Sequence, residues 1–139
     1  MRRLGPPLVF AASLAAAPAS AAPVEVTVEG VEGARGAVLV AVCARERFGG
    51  AGCAHRARAD ARTGRVVLAL DVPPGLWAVQ SFHDLDGDGD LDRSLFGFPR
   101  EPLGFSNGVE IEDGPPDFDA AAIRVAPEGA TTTVRLRRY

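Results

Sequence analysis

The sequence predicts an all-β protein, an antiparallel β-sandwich of six to seven strands. Short apolar or alternating segments recur along the chain, and clusters of glycine and proline separate them. No segment has the pattern of a long amphipathic helix. The length of 139 residues is that of one domain, so a single sandwich accounts for the chain.

The first 21 residues have the features of a secretory signal peptide. Arg2 and Arg3 precede an apolar run at residues 8–17, and residues 19–21 (Ala-Ser-Ala) form a small-residue cleavage site. The run is too short to span a bilayer. We therefore expect a mature domain of residues 22–139, periplasmic or secreted and without a transmembrane segment.

Two strands are predicted at the start of the mature domain. Val24, Val26 and Val28 alternate with polar residues, which is the period of a strand with one buried face. After a glycine-containing turn at residues 30–36, residues 37–43 (AVLVAVC) are apolar on both faces, as in an interior strand.

The middle of the domain is predicted to contain a helix and a hairpin. Residues 44–64 lack clear periodicity, and a short helix is expected at 54–62. Residues 65–71 and 76–82 form the best hairpin candidate, joined through two prolines that cannot donate to a sheet ladder.

Two further strands are predicted near the C-terminus, at 118–125 and 131–137. The connection that precedes them, residues 93–117, is long for a compact domain, which usually indicates a functional or self-packed loop.

The two cysteines favour a disulfide. Cys43 and Cys53 close a short loop, and an exported protein meets an oxidising compartment. On chain entropy such a bond stabilises the fold by about 2.5 to 3 kcal/mol. The alternative is a zinc site in which the two thiolates join His55 and His83, although this spacing matches no common zinc motif.

Charge indicates no nucleic-acid partner. The net charge is −3, and removal of Arg2 and Arg3 leaves thirteen arginines against eighteen acidic residues, or −5. The arginines are scattered, whereas a nucleic-acid surface needs a basic patch.

A long acidic loop follows the predicted strand 76–82, which we expect to be a central strand of the sandwich. Five aspartates stand at every second position after His83, namely Asp84, Asp86, Asp88, Asp90 and Asp92. In the twelve-residue calcium loop of an EF-hand, ligands come from positions one, three, five, seven and nine, and position six is glycine. Counting from Asp84 reproduces this spacing and places Gly89 at position six.

The loop departs from that motif at position twelve, where Leu95 replaces the bidentate glutamate. We expect a calcium loop at a strand end that takes its missing carboxylate from Glu101, with Glu110 or Glu112 as alternatives. Asp90 would contribute its backbone carbonyl and the other aspartates their side chains. Magnesium fits less well because it demands octahedral geometry. The competing interpretation is a solvated acidic turn that binds nothing.

The connection after the loop is rich in apolar residues. Leu95, Phe96, Phe98, Leu103 and Phe105 would form either a small core beneath their own loop or an exposed surface. An unknown protein or cell-envelope ligand is the partner expected for such a surface. The candidate partner-binding residues are His83, Phe96, Phe98, Phe105 and Asn107.

Residues 104–108 match the G-x-S-x-G pattern of a nucleophile elbow, with Ser106 as its serine. That motif needs a following helix and a later histidine, and no histidine occurs after His83. Ser106 and Asn107 are therefore expected to hydrogen-bond backbone in a turn. An extracytoplasmic hydrolase that uses the loop region is retained as an alternative function.

The runs PPGLWAVQSFHDLDGDGDLD and FGFPREPLGFSN resemble the central signature of a bacterial exported family called domain of unknown function 2141. The residues that match are Pro74, Gly75, Trp77, His83, Asp84, Asp86, Asp88, Gly89, Asp92, Gly97, Pro99, Glu101, Gly104, Phe105, Ser106 and Asn107. Trp77 stands where tyrosine is commoner.

The resemblance implies a periplasmic or secreted β-sandwich of transthyretin-like or Ig-like type with no known activity. It also links Glu101 to the acidic loop, because both belong to one signature. Together these observations predict an exported, non-catalytic module with a calcium-binding loop. A carrier of a small apolar ligand between the sheets is a further alternative.

Overall fold

The computed structural model describes residues 2–9, 11, 13, 20–95 and 97–139. Most of the apolar run and cleavage region of the predicted signal peptide lies outside this part of the chain, so the signal peptide stays a prediction. The elements in chain order are β1 (Ala22–Val31), β2 (Ala37–Cys43), β3 (His55–Asp60), β4 (Gly64–Val72), β5 (Gly75–Asp84), β6 (Leu103–Phe105), a 3₁₀-helix (Ser106–Gly108), α1 (Phe118–Ala121), β7 (Ala122–Val125) and β8 (Ala130–Arg135).

Two sheets pack face to face, which confirms the predicted β-sandwich. The three-stranded sheet has the order β4-β1-β8, and β1 is antiparallel to β4 and parallel to β8. In the five-stranded sheet, β3, β2 and β5 are neighbours, and β6 and β7 pair in succession along the other edge of β5. The acidic loop therefore leaves a central strand, as predicted.

Alternating valines fill the space between the sheets. Val24, Val26 and Val28 of β1 are fully buried and pack in one cluster with valines of β2 and β5. The pairing register places Val38 opposite His83 on the core side. Since successive side chains of a strand alternate between faces, Asp84 lies on the outer face.

The predicted hairpin of residues 65–71 and 76–82 is wrong. Both segments are strands, but β4 pairs with β1 in one sheet whereas β5 pairs with β2, β6 and β7 in the other. Pro73 and Pro74 connect them. Neither residue has an N–H group to donate to a sheet ladder, so strand pairing is interrupted here and the chain passes from one sheet to the other.

Two local predictions also need correction. The segment expected as a helix at 54–62 contains β3, whose register with β2 makes it an edge strand. Tertiary pairing there overrides the weak local preference of an arginine- and alanine-rich segment. The strand expected at 118–125 is divided into α1 and β7, and Asp117 caps α1 by accepting from the N–H of Ala120 (3.1 Å).

The long connection holds structure that its sequence pattern did not indicate. β6 and the 3₁₀-helix lie within it. Leu103 and Arg137 exchange two backbone hydrogen bonds of 3.0 and 2.8 Å, which joins β6 to the chain beyond β8. The N–H of His83 donates to the oxygen of Pro102 (2.9 Å), so the connection returns to the start of the acidic loop.

Candidate metal centre

Asp84 organises the acidic loop. It is the last residue of β5 and is fully buried. Its two carboxylate oxygens accept from the N–H groups of Gly87 (3.0 Å) and Gly89 (2.8 Å). Gly89 has φ +83°, a left-handed conformation that glycine adopts without steric cost. One buried carboxylate thus sets the curvature of the loop.

The next aspartates stabilise consecutive turns. Asp86 Oδ1 accepts from the N–H of Asp88 (3.2 Å), and Asp88 Oδ1 accepts from the N–H of Asp90 (2.9 Å). These are side-chain-to-backbone turns of the kind that aspartate favours. All three residues are exposed, so their remaining oxygen lone pairs are accessible.

Glu101 closes the loop from a distance in sequence. Its side chain is buried, with 3% of the residue exposed. Oε2 accepts from the N–H of Leu85 (2.6 Å), and Oε1 accepts from the N–H of Asp92 (2.9 Å). A single carboxylate therefore holds both ends of the loop. Of the two alternatives to Glu101, Glu110 pairs with Arg137 at 3.0 Å, and neither Glu110 nor Glu112 joins the acidic groups found among the described residues.

The carboxylates converge in two groups that share one residue. Asp84, Asp86 and Asp88 each offer an oxygen within 4.8 Å of the others, and so do Asp86, Asp92 and Glu101. Two oxygens on one calcium ion lie at most about 5 Å apart, twice its bond length of roughly 2.5 Å. The spacing of each group is therefore short enough for its oxygens to reach one metal ion. Asp90 belongs to neither group among the described residues, and its role through a backbone carbonyl stays a prediction.

Crowding of like charges perturbs these carboxyl groups. A hydrogen bond to Asp86, burial and repulsion from Glu101 raise the pKa of Asp92 to about 6. The same hydrogen bond lowers the pKa of Asp86, whereas burial raises the pKa of Asp84. The nearest guanidinium nitrogen, Arg58 Nη1, is 3.9 Å from Asp84 Oδ2. The fold therefore favours the protonated form of Asp92 and the charged form of Asp86, as expected where two carboxylates crowd together without a cation.

A segment far away in sequence packs against the start of the acidic loop. Arg35 donates from Nε to the oxygen of Leu85 (3.1 Å), and its own oxygen accepts from Nε2 of His83 (2.6 Å). A Cβ atom on Gly36 would lie 2.0 Å from the backbone oxygen of Asp84. Only glycine permits this approach, so Gly36 is a positioning residue that sequence reasoning missed. Nothing local could have revealed it, because the contact spans 48 residues.

The zinc interpretation is wrong. Cys43 and Cys53 form the predicted disulfide, so neither thiolate is available to a metal. The ring of His55 packs edge-on against Trp77 at 5.1 Å. His83 is fully buried on the core side, and its Nδ1 has no hydrogen-bond partner among the described residues.

The candidate partner-binding residues occupy different environments. Phe98 is 64% exposed, and Leu95 beside it is 98% exposed. Phe105 is buried against Phe48, with ring centroids 5.5 Å apart. His83 also lies inside the protein, and Phe96 lies outside the described residues. The apolar residues of the connection are thus divided between an internal core and an exposed turn.

Ser106 and Asn107 make the predicted backbone hydrogen bonds. Ser106 is fully buried, and its hydroxyl donates to the oxygen of Ala121 (2.6 Å) and accepts from the N–H of Val79 (3.0 Å). Asn107 donates from Nδ2 to the oxygens of Ala120 and Ala122. The two side chains join the 3₁₀-helix to α1 and β7.

Most of the chain matches one known protein family. Residues 26–134 match the family described as "Uncharacterized protein conserved in bacteria (DUF2141)". The chain belongs to this family. The DUF2141 match includes the whole acidic loop, Glu101 and Ser106, so the convergent carboxylates lie within the family domain. No curated protein and no solved structure matched the chain. Across the described ranges, we found no helix with the length and apolar character needed to cross a bilayer.

Proposed function

We propose that this protein is an exported, non-catalytic β-sandwich module, with a binding or structural role, whose acidic loop binds calcium. The ligands would be side-chain oxygens of Asp84, Asp86, Asp88, Asp92 and Glu101, together with the backbone carbonyl of Asp90. The observation that carries this proposal is the sharing of Asp86 between two groups of closely spaced carboxylates.

Electrostatics supports a cation at this place. Two carboxylates about 4 Å apart repel by roughly 1 kcal/mol even at the dielectric constant of water, and by more near a protein surface. Raised pKa values at Asp84 and Asp92 are the signature of this repulsion and of burial. A divalent ion would remove the repulsion without a proton.

The donor set favours calcium over other metals. All the candidate ligands are oxygens, which excludes a preference for soft metals. Calcium accepts six to eight oxygens in flexible geometry, whereas magnesium needs a near-ideal octahedron at about 2.1 Å. Extracellular calcium modules bind with dissociation constants of about 10⁻⁴ to 10⁻³ M, which sets the concentration range to examine.

Export is supported by the predicted signal peptide and by the disulfide. A Cys43–Cys53 bond persists in an oxidising compartment. Periplasmic or secreted localisation would be tested by expression of the full chain in a bacterial host, with N-terminal sequencing of the product. A mature terminus near Ala22 supports export, and an uncleaved cytoplasmic product contradicts it.

Asp86→Asn is the sharpest test of calcium binding. Asp86 is exposed and belongs to both carboxylate groups, and asparagine keeps an oxygen that can accept from the N–H of Asp88. We expect calorimetry to show calcium binding by the original protein and at least a tenfold loss of affinity in the variant. The thermal midpoint in chelator should stay the same or rise, because one repelling charge is gone.

The matched control is Asp113→Asn, which removes the same charge from an exposed position outside the loop. It should leave calcium affinity unchanged. The proposal fails if several millimolar calcium gives neither heat nor a shift of the midpoint, or if the two variants lose affinity equally.

A further inference from the structure

A groove lies on the outer face of the five-stranded sheet, opposite the valine core. Its volume is about 360 Å³. Its floor includes Leu39 and Ala41 of β2, which the register pairs with Phe82 and Gln80 of β5. The floor is therefore largely apolar, and it is built on two central strands rather than on loops.

Two loops line this groove. The first is the disulfide loop, of which residues 49–53 contribute. Gln80 holds it by accepting from the N–H of Gly49 (2.9 Å) and donating to the oxygen of Gly50 (2.8 Å). The second is the acidic loop, which contributes Gly89 to Leu91. A wall fixed by a disulfide and two hydrogen bonds is preorganised, which lowers the entropic cost of binding.

The groove also presents positive charge in an acidic protein. Arg56 and Arg93 line it, and neither forms an ion pair with any carboxylate that the structure describes. Arg93 donates from Nη1 to the oxygen of Gly97, which leaves its other N–H groups available. The one carboxylate-bearing residue in the lining is Asp90. Two guanidinium groups beside an apolar floor suit an anion that carries an apolar body.

We propose that this groove binds a small amphipathic anion, with one or two rings or a short acyl chain and a single carboxylate or sulfonate group. The apolar body would lie on Leu39 and Phe82, and the anionic group would contact Arg56 and Arg93. The volume is within the range of about 300 to 1,000 Å³ found for small-molecule sites. The acidic loop forms one wall, but the floor, the disulfide-loop wall and both guanidinium groups lie outside residues 84–92. The proposal therefore holds with or without calcium in that loop.

A pair of fluorescent probes tests the proposal. 8-Anilinonaphthalene-1-sulfonate carries an apolar ring system and one anionic group, and N-phenyl-1-naphthylamine is the neutral counterpart without the sulfonate. Titration of the folded protein with the first probe should give saturable binding at one site, both in chelator and in calcium. The neutral probe should bind at least tenfold more weakly.

Three substitutions in the groove and one control outside it locate the site of probe binding. Arg56→Gln and Arg93→Gln should each lower the affinity for the anionic probe about five- to tenfold and leave the affinity for the neutral probe unchanged. The control is Arg124→Gln, an exposed arginine of β7 outside the groove, which should have no effect. Ala41→Leu fills the floor of the groove and should weaken the binding of both probes. An unchanged thermal midpoint in the glutamine variants shows that their fold is intact.

The proposal is overturned if the anionic probe binds without saturation, if the neutral probe binds equally well, or if the control variant weakens binding as much as the groove variants do. Asp86→Asn separates the two proposals. It should abolish or weaken calcium binding and leave the binding of the anionic probe unchanged.

Discussion

Replacement of Glu101 by glutamine should destabilise the protein even when no metal is present. The carboxylate is buried and accepts from the N–H groups of Leu85 and Asp92. Glutamine keeps one acceptor oxygen and places an amide N–H₂ group against the other backbone N–H. Hydrogen bonds to charged groups contribute about 1.5 to 3 kcal/mol each, and an unsatisfied buried donor costs about 1 to 3 kcal/mol.

Loss of the Glu101 charge also has a stabilising effect. Glu101 repels Asp92 and contributes to its raised pKa, and removal of this charge recovers roughly 1 kcal/mol. The lost hydrogen bond and the unsatisfied donor belong to the same contact and count once, at about 3 kcal/mol. The balance is a loss of about 2 kcal/mol in the free energy of unfolding. For a domain of this size that loss corresponds to a midpoint lower by about 8 °C.

Urea denaturation in chelator, followed by the fluorescence of Trp77, measures this loss. Glu112→Gln is the matched control, since it makes the same change at an exposed residue. A loss below about 0.5 kcal/mol, or one equal to that of the control, would refute the role of Glu101 in closing the loop.

Three other predictions follow from the surroundings of Asp92, Gly36 and Ser106. The folded pKa of Asp92 is about 6 and its unfolded value is about 3.9, so the metal-free fold binds this proton more tightly. This proton stabilises the fold fully below about pH 4, and the stabilisation is lost as the pH rises through 6. The stability of the original protein minus that of Asp92→Asn should therefore decrease over that window and be flat above it, and a constant difference contradicts the raised pKa of Asp92. Gly36→Ala should lower the thermal midpoint and weaken calcium binding together, because its Cβ would lie 2.0 Å from the oxygen of Asp84; an unchanged midpoint contradicts this contact. An activated fluorophosphonate should leave the buried Ser106 unlabelled, as mass spectrometry of the treated protein would show, and labelling would revive the hydrolase alternative.

The local geometry of the acidic loop could be anticipated because its bonds are short in sequence. The side chains of Asp84, Asp86 and Asp88 accept from backbone groups two to five residues ahead. Spacing and residue type suffice to predict such turns. The distal carboxylate is less certain from sequence, which offers Glu101 as the nearest of three glutamates, a choice that the family signature strengthens. The structure brings the Glu101 oxygens to the two ends of the loop.

Side-chain patterns do not predict which sheet a strand joins. The apolar pattern of residues 65–71 and 76–82 correctly indicates two strands, β4 and β5. It contains nothing about which strand lies alongside, so it predicts a hairpin although the two strands lie in opposite sheets. The segment of β3 shows the same limit, since its strand character comes from pairing with β2.

Composition and order along the chain thus specified a β-sandwich, a disulfide and a dense acidic turn, because periodicity, cysteine count and aspartate spacing are local properties. Long-range packing decided the rest. Gly36 and Arg58 approach Asp84 only after β2, β3 and β5 have aligned. Likewise, Phe105 is covered and Phe98 is exposed because of where the connection folds back, although both are phenylalanines of one segment.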